Sequence, residues 1–284
     1  MRAGAALWSI LELLHPIPSL LTTAVAVAFA VVFGLPLTDP RIGWIALIML
    51  LVQFSISALN DWADADLDAQ AGRQRPIPLR LVPARTALVV GLLCGAAALL
   101  GSLLSGFGAA AFLLVVLGLA SGLAYDLGLK RTPLSILPFI VAFPLLPLWV
   151  GTVAGRGFGS LSLVFLGGIP LAGAIHLADA IPDRDADRAA GVDSLAVTLG
   201  RPAAELLAAG LLLAGTLVSI IAVVGRMSSS GLSLLIVAVA AAWFVVSLGA
   251  RDRRWRHAPL VGKWAVIAAA ALVAVPLVVV ASGR

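Results

Sequence analysis

The residues of this chain that could do chemistry are concentrated in two short acidic segments. The first, NDWADADLD, runs from Asn60 to Asp68 and holds four aspartates. It directly follows an apolar run without charge, WIALIMLLVQFSIS. If the helix of that run continues at about 100° per residue, Asp61, Asp64 and Asp68 share one face. Asp66 lies about 140° from Asp61 on the same helix and is expected to point elsewhere.

Carboxylates that share a helix face repel one another, and the repulsion grows where the dielectric constant falls at a membrane boundary. Such a cluster needs a cation. Mg²⁺ takes oxygen ligands and is usually held by one or two carboxylates plus substrate phosphates. We therefore predict Mg²⁺ at Asp61, Asp64 and Asp68. Asn60, the one asparagine of the chain, is a plausible neutral oxygen ligand beside them.

The second acidic segment, HLADAIPDRDADRAAG, repeats the pattern. Asp179, Asp183 and Asp187 are spaced four residues apart and fall within an arc of about 80° on a regular helix. Pro182 interrupts that helix, since proline removes a backbone donor and clashes with the preceding turn. These three aspartates are the second set of candidate metal ligands. For Asp183 and Asp187, the simpler alternative is a salt bridge in a loop with Arg184 or Arg188.

A weak internal repeat relates the two segments, because Asp64 and Asp68 recur 119 residues later as Asp183 and Asp187. That interval covers about four spans, so both copies keep the same orientation and face the same side of the membrane. Two acidic clusters on one side imply a ligand with several negative charges, bridged by metal. A diphosphate fits this description.

Basic residues should complete the neutralisation of a diphosphate. Arg75 precedes PIP, which predicts a rigid extended turn. Lys130 and Arg131 lie in YDLGLKRT, five and six residues after Tyr125, the one tyrosine of the chain. Alternatively, Lys130 and Arg131 are ordinary positive-inside charges, and Tyr125 is an aromatic of the membrane interface.

The elements that position these residues are membrane helices. Of the 284 residues, 61% are hydrophobic and 12% are charged, against about 25% charged in soluble domains. We predict a single all-α, multi-pass domain over 1–284 with nine spans. They are 17–35, 42–62, 86–104, 107–126, 133–151, 160–180, 203–224, 231–249 and 261–282, arranged as two pseudo-repeated four-helix units plus one.

Charge sets the expected topology. With the N-terminus on one side, that side carries fifteen Lys and Arg residues against four opposite, so it is predicted to be cytoplasmic. Thirteen of the fourteen acidic residues lie there too, which indicates an active site on the cytoplasmic side, with the C-terminus outside. The basic residues fall in short loops, so the net charge of +5 follows from topology, and we expect no nucleic-acid partner.

These motifs resemble those of the UbiA superfamily of intramembrane prenyltransferases over nearly the whole chain. Its first motif, N-D-x-x-D-x-x-x-D, matches Asn60 to Asp68 without a gap. Its R-P-[IL]-P element matches Arg75 to Pro78, and its Y-x-x-x-x-K element is similar to Tyr125 to Lys130. The second motif, D-x-x-x-D with a following glycine, matches the segment that ends at Gly191.

The resemblance implies nine helices around a central cavity, in a multi-pass protein of a prokaryotic cell membrane. It implies Mg²⁺ that bridges both aspartate motifs to an isoprenyl diphosphate donor. The diphosphate leaves, and the allylic cation alkylates a lipophilic or aromatic acceptor among the membrane lipids. The residues to which the resemblance gives catalytic roles are Asp64, Asp68, Asp183, Asp187 and Tyr125; those that contact the diphosphate are Asn60, Arg75, Lys130 and Arg131.

Some positions depart from the family pattern. His15 precedes Pro16 where the family often has arginine, and Pro182 stands where an acidic residue is frequent. The step from Asp68 to Arg75 is similar to that of members that prenylate chlorophyllide or geranylgeranylglyceryl phosphate, without choosing between them. The acceptor, the prenyl chain length and the oligomeric state are not visible in the sequence.

Other functions remain open on these motifs. A membrane terpene cyclase of the same superfamily would ionise the same diphosphate without an acceptor, and transfer to a polyprenyl phosphate would keep the same metal site. An ion-coupled transporter would place its carboxylates near the bilayer midplane, whereas these lie at helix ends. The CDP-alcohol phosphotransferase signature is not matched.

Overall fold

The computed structural model describes residues 3–70, 72–224 and 259–283. All regular structure in these ranges is helical, which confirms the predicted all-α class. The chain divides into two compact units, Met1–Leu127 and Gly128–Arg284. Each unit is built around one long apolar helix that ends in an acidic segment.

In the first unit the central helix is α3. The helices of this unit are α1 (Ala3–Leu13), α2 (Pro16–Val32), α3 (Pro40–Ala63), α4 (Ala65–Gln70), α5 (Ala84–Leu104) and α6 (Gly108–Leu127). α2, α5 and α6 pack against α3. The short α4 continues from the end of α3 and carries the rest of the first acidic segment.

In the second unit the central helix is α8. A 3₁₀ helix (Leu129–Arg131) precedes α7 (Leu137–Val153), α8 (Phe158–Ala180), α9 (Arg184–Ala189), α10 (Leu195–Leu199), α11 (Arg201–Val223) and α12 (Pro259–Ala281). α7, α11 and α12 pack against α8. The short α9 follows α8 as α4 follows α3, so the order of elements around each acidic segment is the same.

Eight of the nine predicted spans coincide with helices. The ninth, at 231–249, lies outside the described residues, so the count of nine stays a prediction. Within the described ranges, six helices (α3, α5, α6, α8, α11 and α12) are long and apolar enough to cross a membrane, while α2 and α7 are shorter. Large apolar side chains such as Ile17, Phe158 and Ile221 are exposed. The protein is therefore an integral membrane protein.

Two details of the span predictions were wrong. The α7 helix begins four residues later than predicted, so Pro138 lies in its first turn, where proline is tolerated. Pro144 and Pro147 do lie inside it, as expected. The helix α1 was not predicted; its chain turns into α2 through only Leu14 and His15.

The start of α3 shows how local sequence fixes a span end. Asp39 is the N-cap, Pro40 is the first helical residue, and the Asp39 carboxylate accepts from the Arg41 backbone N–H at 2.9 Å. The Arg41 side chain donates to the same carboxylate at 3.0 and 2.7 Å. These hydrogen bonds lower the pKa of Asp39.

The packing of α5 on α3 depends on a close backbone approach. Ser55 Oγ donates to the Gly91 carbonyl at 2.8 Å in a buried contact between the two helices. A Cβ at residue 91 would lie 2.5 Å from Leu59 Cγ, so glycine is required there. Small residues at helix contacts are typical of membrane proteins, where close packing and interhelical hydrogen bonds drive association.

Candidate functional site

The backbone of the first acidic segment departs from the predicted continuous helix at one residue. α3 ends at Ala63, Asp64 is its C-cap with φ −94° and ψ −1°, and α4 begins at Ala65. The Asp64 N–H donates to the Asn60 carbonyl at 2.9 Å, and the Asp64 carbonyl accepts from the Asp68 N–H at 2.8 Å. Asp64 therefore makes the last backbone hydrogen bond of α3 and the first of α4.

A glycine closes this segment. Gly72 has φ 64°, and the Gly72 N–H donates to the Ala69 carbonyl at 3.2 Å. The Arg73 N–H donates to the Asp68 carbonyl at 2.9 Å. This pair of bonds is a Schellman C-cap with a left-handed glycine. α4 ends at Gln70, and the cap glycine lies four residues after Asp68.

Burial separates the four aspartates of the first segment. Asp61 and Asp68 are buried, with relative exposures of 2% and 4%, whereas Asp64 is half-buried and Asp66 is exposed. The exposure of Asp66 agrees with the helix-face argument, which excluded it. Arg73 Nη1 donates to Asp68 Oδ1 at 3.1 Å, so one predicted metal ligand already has a cationic partner.

The remaining predicted residues of the first unit lie at or after the ends of its long helices. Asn60 is half-buried in the last turn of α3, and Tyr125 is half-buried near the end of α6. Next to Tyr125, Asp126 is buried with 4% exposure. The sequence analysis missed Asp126, because it occurs alone in an apolar helix and outside both acidic segments.

Arg75 lies in a hydrogen-bonded turn rather than an extended one. The Leu79 N–H donates to the Arg75 carbonyl at 3.1 Å, and the Arg80 N–H donates to the Ile77 carbonyl at 2.9 Å. The half-buried side chain of Arg75 reaches His15, with Nη1 and Nε2 3.0 Å apart. His15 Nε2 is also 3.0 Å from Asp61 Oδ1. The sequence analysis noted His15 only as a departure from the family pattern.

The second acidic segment repeats the short helix and the cap of the first, although three residues separate α8 from α9 where only Asp64 separates α3 from α4. α8 ends at Ala180, and α9 spans six residues as α4 does. The Val192 N–H donates to the Asp187 carbonyl at 2.9 Å, and the Gly191 N–H donates to the Arg188 carbonyl at 3.2 Å, with φ 73° at Gly191. The same Schellman cap therefore closes both segments, each time four residues after the last aspartate.

The side chains of the second segment are more accessible. Asp183 is exposed and Asp187 is half-buried. Arg184 pairs with Asp185, whose side chain is 82% exposed. Asp179 pairs with Lys263 of α12, a lysine that was not among the predicted site residues.

Lys130 and Arg131 are half-buried in the 3₁₀ helix. The Asp193 N–H donates to the Arg131 carbonyl at 3.3 Å, which joins this helix to the chain after α9. The Leu195 N–H donates to Ser135 Oγ at 3.1 Å, and the Ser135 hydroxyl contacts His176 Nε2 at 3.0 Å. These buried contacts hold the basic pair beside the second segment.

The carboxylate oxygens of the two acidic segments suit a Mg²⁺ ion whose coordination is completed by the substrate. Within the described ranges, no three His, Cys, Asp or Glu side chains gather closely enough to hold a metal ion by themselves. Mg²⁺ often takes only one or two carboxylates plus substrate phosphates, and each segment offers such a pair. Among the described residues, Asp61 Oδ2 is buried and has no hydrogen-bond partner.

Comparison with known proteins identifies relatives over most of the chain. The UbiA prenyltransferase family matches residues 19–261. Digeranylgeranylglyceryl phosphate synthase of Korarchaeum cryptofilum is 32% identical over 195 residues, which cover 67% of each chain. Protoheme IX farnesyltransferase of Jannaschia sp. is 37% identical over 137 residues, covering 46% of this chain and 43% of that protein.

Solved structures show the same fold. A structure of digeranylgeranylglyceryl phosphate synthase matches with a TM-score of 0.78 at 17% identity, covering 98% of this chain and 99% of that one. A UbiA homologue from Archaeoglobus fulgidus, bound to GPP and Mg²⁺, matches with a TM-score of 0.70 at 15% identity, covering 93% and 99%. At these identities the likeness is one of fold.

Proposed function

This chain belongs to the UbiA prenyltransferase family, and we propose that it moves an isoprenyl group from an isoprenyl diphosphate to a lipophilic or aromatic acceptor in the membrane. It is an enzyme, a prenyltransferase, as its relatives are. The observation that carries the proposal is the pair of acidic helix ends with identical caps. Diphosphate is the second product.

Mg²⁺ is the cofactor of this proposal. Asp64 and Asp68 would hold it at the first segment, with Asn60 as a neutral ligand and Asp61 behind them. Asp183 and Asp187 would hold it at the second. When bound, Mg²⁺ supplies neutralisation of the charge that develops on the diphosphate. The Archaeoglobus homologue, whose structure holds Mg²⁺ and GPP, supports this choice.

The chain's own residues have three tasks in the reaction. Arg75 in the first unit and Lys130 and Arg131 in the second offer cationic donors to phosphate oxygens, which favours departure of the diphosphate. Tyr125 is proposed to act at the same reacting group. The apolar helices exclude water, which would otherwise quench the allylic cation, and they offer a surface for the prenyl tail.

The relatives bear on the acceptor. They are named for a glyceryl phosphate and for protoheme, so a lipophilic acceptor is supported without a choice between these two. The test is mass spectrometry of membranes that contain the protein, supplied with labelled geranylgeranyl or farnesyl diphosphate. We expect a labelled, alkylated lipid and Mg²⁺-dependent release of diphosphate, both abolished by EDTA. A labelled cyclic hydrocarbon would support the cyclase instead, and transport without diphosphate release would refute both enzymatic readings.

The cytoplasmic orientation is part of this proposal, and it has its own measurement. A cysteine placed beside Arg80 or beside Arg188, in a Cys94→Ala background, should react with a membrane-impermeant thiol reagent only from the cytoplasmic side. A cysteine beside Arg156 should react from the opposite side. Labelling of the Arg80 and Arg188 positions from different sides would contradict the shared orientation of the acidic segments.

A further inference from the structure

His15 lies at a tight corner between α1 and α2. Its backbone is left-handed, with φ 43° and ψ 64°, although it is not glycine and it precedes Pro16, which disfavours helical conformations in the preceding residue. The corner is fixed by hydrogen bonds. The His15 N–H donates to the Glu12 carbonyl at 3.1 Å, and Ser19 Oγ donates to the Leu14 carbonyl at 2.8 Å. Strained backbone of this kind concentrates at functional sites.

The imidazole of His15 connects the first acidic segment with Arg75 in the turn that follows it. Its Nε2 lies 3.0 Å from Asp61 Oδ1 and 3.0 Å from Arg75 Nη1. A ring nitrogen with a hydrogen donates, and one without accepts. Nε2 can therefore donate to Asp61 in one tautomer or accept from Arg75 in the other, and it lies within hydrogen-bond distance of both partners. The ring contacts both the Asp61 carboxylate and the Arg75 guanidinium, which are 14 residues apart in sequence.

Both partners keep hydrogen-bonding capacity for a ligand. Within the described part of the chain, the Arg75 guanidinium makes no other hydrogen bond, so most of its donors remain available for an anion. In the same ranges Asp61 Oδ2 has no partner, although the Asp61 side chain is only 2% exposed. A buried carboxylate oxygen without a hydrogen-bond partner is costly. Among the described residues, His15 makes the one side-chain hydrogen bond of the Asp61 carboxylate.

The second segment has no equivalent of this cluster. The residue 119 positions after Asp61 is Ala180, and the residue 119 positions after Arg75 is Ser194. The contact is therefore an addition to the repeated backbone. We propose that His15 is a positioning residue, which fixes the Arg75 guanidinium at the end of α3 so that it receives the diphosphate of the donor. This inference rests on the proposed function, since it assumes an isoprenyl diphosphate ligand.

The test uses the full chain in detergent, with two substitutions of His15 that the backbone tolerates. His15→Gly removes the imidazole and relieves the left-handed strain, and His15→Asn keeps a hydrogen-bonding group in a residue that accepts this conformation. With Mg²⁺ and geranylgeranyl diphosphate, we expect His15→Gly to raise KM about tenfold or more with a smaller change in kcat. His15→Asn should fall between His15→Gly and the wild type.

Binding gives a second readout, independent of turnover. The thermal stabilisation by Mg²⁺ plus a non-reactive thiolo analogue of geranylgeranyl diphosphate, measured from each protein's own unliganded Tm, should be smaller in His15→Gly than in the wild type. The matched control is Ser19→Ala, which removes a hydrogen bond at the same corner without touching Asp61 or Arg75. It should lower Tm and leave KM unchanged.

A double-mutant cycle decides whether His15 acts through Arg75. The effect of Arg75→Ala on KM and binding should hardly increase when His15→Gly is added, because the guanidinium that His15 positions is already absent. Losses that multiply, or a His15→Gly protein with wild-type KM and binding, would overturn the proposal while leaving the proposed function intact. A wild-type protein that neither binds nor turns over geranylgeranyl or farnesyl diphosphate would overturn both.

Discussion

The two acidic segments have the same short helix and C-cap, but different residues surround them. α4 and α9 begin 119 residues apart, have six residues each, and end in Schellman caps whose glycines have φ 64° and 73°. In the first segment two aspartates are buried, and His15 and Arg73 contact them. In the second, no residue of α9 is buried. The repeat thus preserves the positions of the carboxylates in the sequence, whereas the residues that contact them differ.

This difference suggests a division of roles. The repeat keeps Asp64 with Asp183 and Asp68 with Asp187, and these are the positions that we propose hold the metal. Two further aspartates contact a basic side chain from another part of the chain: Asp61 contacts His15, and Asp179, which corresponds to Asn60 in the repeat, contacts Lys263.

The largest effect is expected at the paired positions. Asp64→Ala and Asp183→Ala should each lower kcat/KM about 100-fold or more, because each removes a metal ligand worth about 3 kcal/mol of transition-state stabilisation. Turnover of labelled geranylgeranyl diphosphate across a Mg²⁺ titration measures both. The variants should keep the wild-type Tm in detergent. If only one of the pair matters, the equivalence of the two segments fails.

The glycine caps should affect stability next. Gly72→Ala and Gly191→Ala place a Cβ on a left-handed residue, at a cost of roughly 1–2 kcal/mol each. Neither new Cβ meets another atom within 4 Å, so the backbone conformation alone sets the cost. Thermal unfolding in detergent should show similar decreases in Tm for the two variants. Unequal decreases would mean that the caps are not equivalent.

A smaller effect is expected at Asp179. Asp179→Asn gives the second segment the amide that the first has at residue 60, while it breaks the pair with Lys263. Because the Asp179 side chain is 45% exposed, that pair should contribute no more than about 1 kcal/mol. We expect a loss of less than about tenfold in kcat/KM. A loss as large as that of Asp183→Ala would restore Asp179 to the metal ligands.

The smallest effect is expected at the exposed aspartates. Asp66→Ala and Asp185→Ala remove carboxylates that point away from the shared face, and charges of this kind usually contribute under about 1 kcal/mol. Both variants should keep most of the wild-type turnover and the wild-type dependence on Mg²⁺. Equal losses in Asp66→Ala and Asp64→Ala would contradict the helix-face argument.

The sequence predicted the spans and the grouping of the acidic residues, because both depend on local patterns. Apolar runs set the helices, and a period of 3.6 residues separates Asp66 from Asp61 and Asp68. The break at Asp64 also has a local origin, yet its C-cap geometry has no residue signature comparable to Pro182 in the second segment. Of the two cap glycines, only Gly191 was singled out from the sequence, as a match to the family motif.

The contacts across long stretches of sequence could not be predicted. His15 meets residues 46 and 60 positions away, and Lys263 meets an aspartate 84 positions earlier. No periodicity links such positions, because packing between helices brings them together. The short α1 was not predicted, because its 11 residues are fewer than a membrane span needs.

The hydrogen bond from Ser55 to the Gly91 carbonyl has a consequence for how the protein assembles in a bilayer. α3 and α5 can each insert as independent spans, and their lateral association must then find one vertical register. Ser55 and Gly91 favour one register, because the Ser55 hydroxyl reaches the Gly91 carbonyl only when the two helices are aligned at these residues. Ser55 lies about 9 Å along the helix axis from Asp61, so this contact also sets the depth at which the first carboxylates meet the membrane surface.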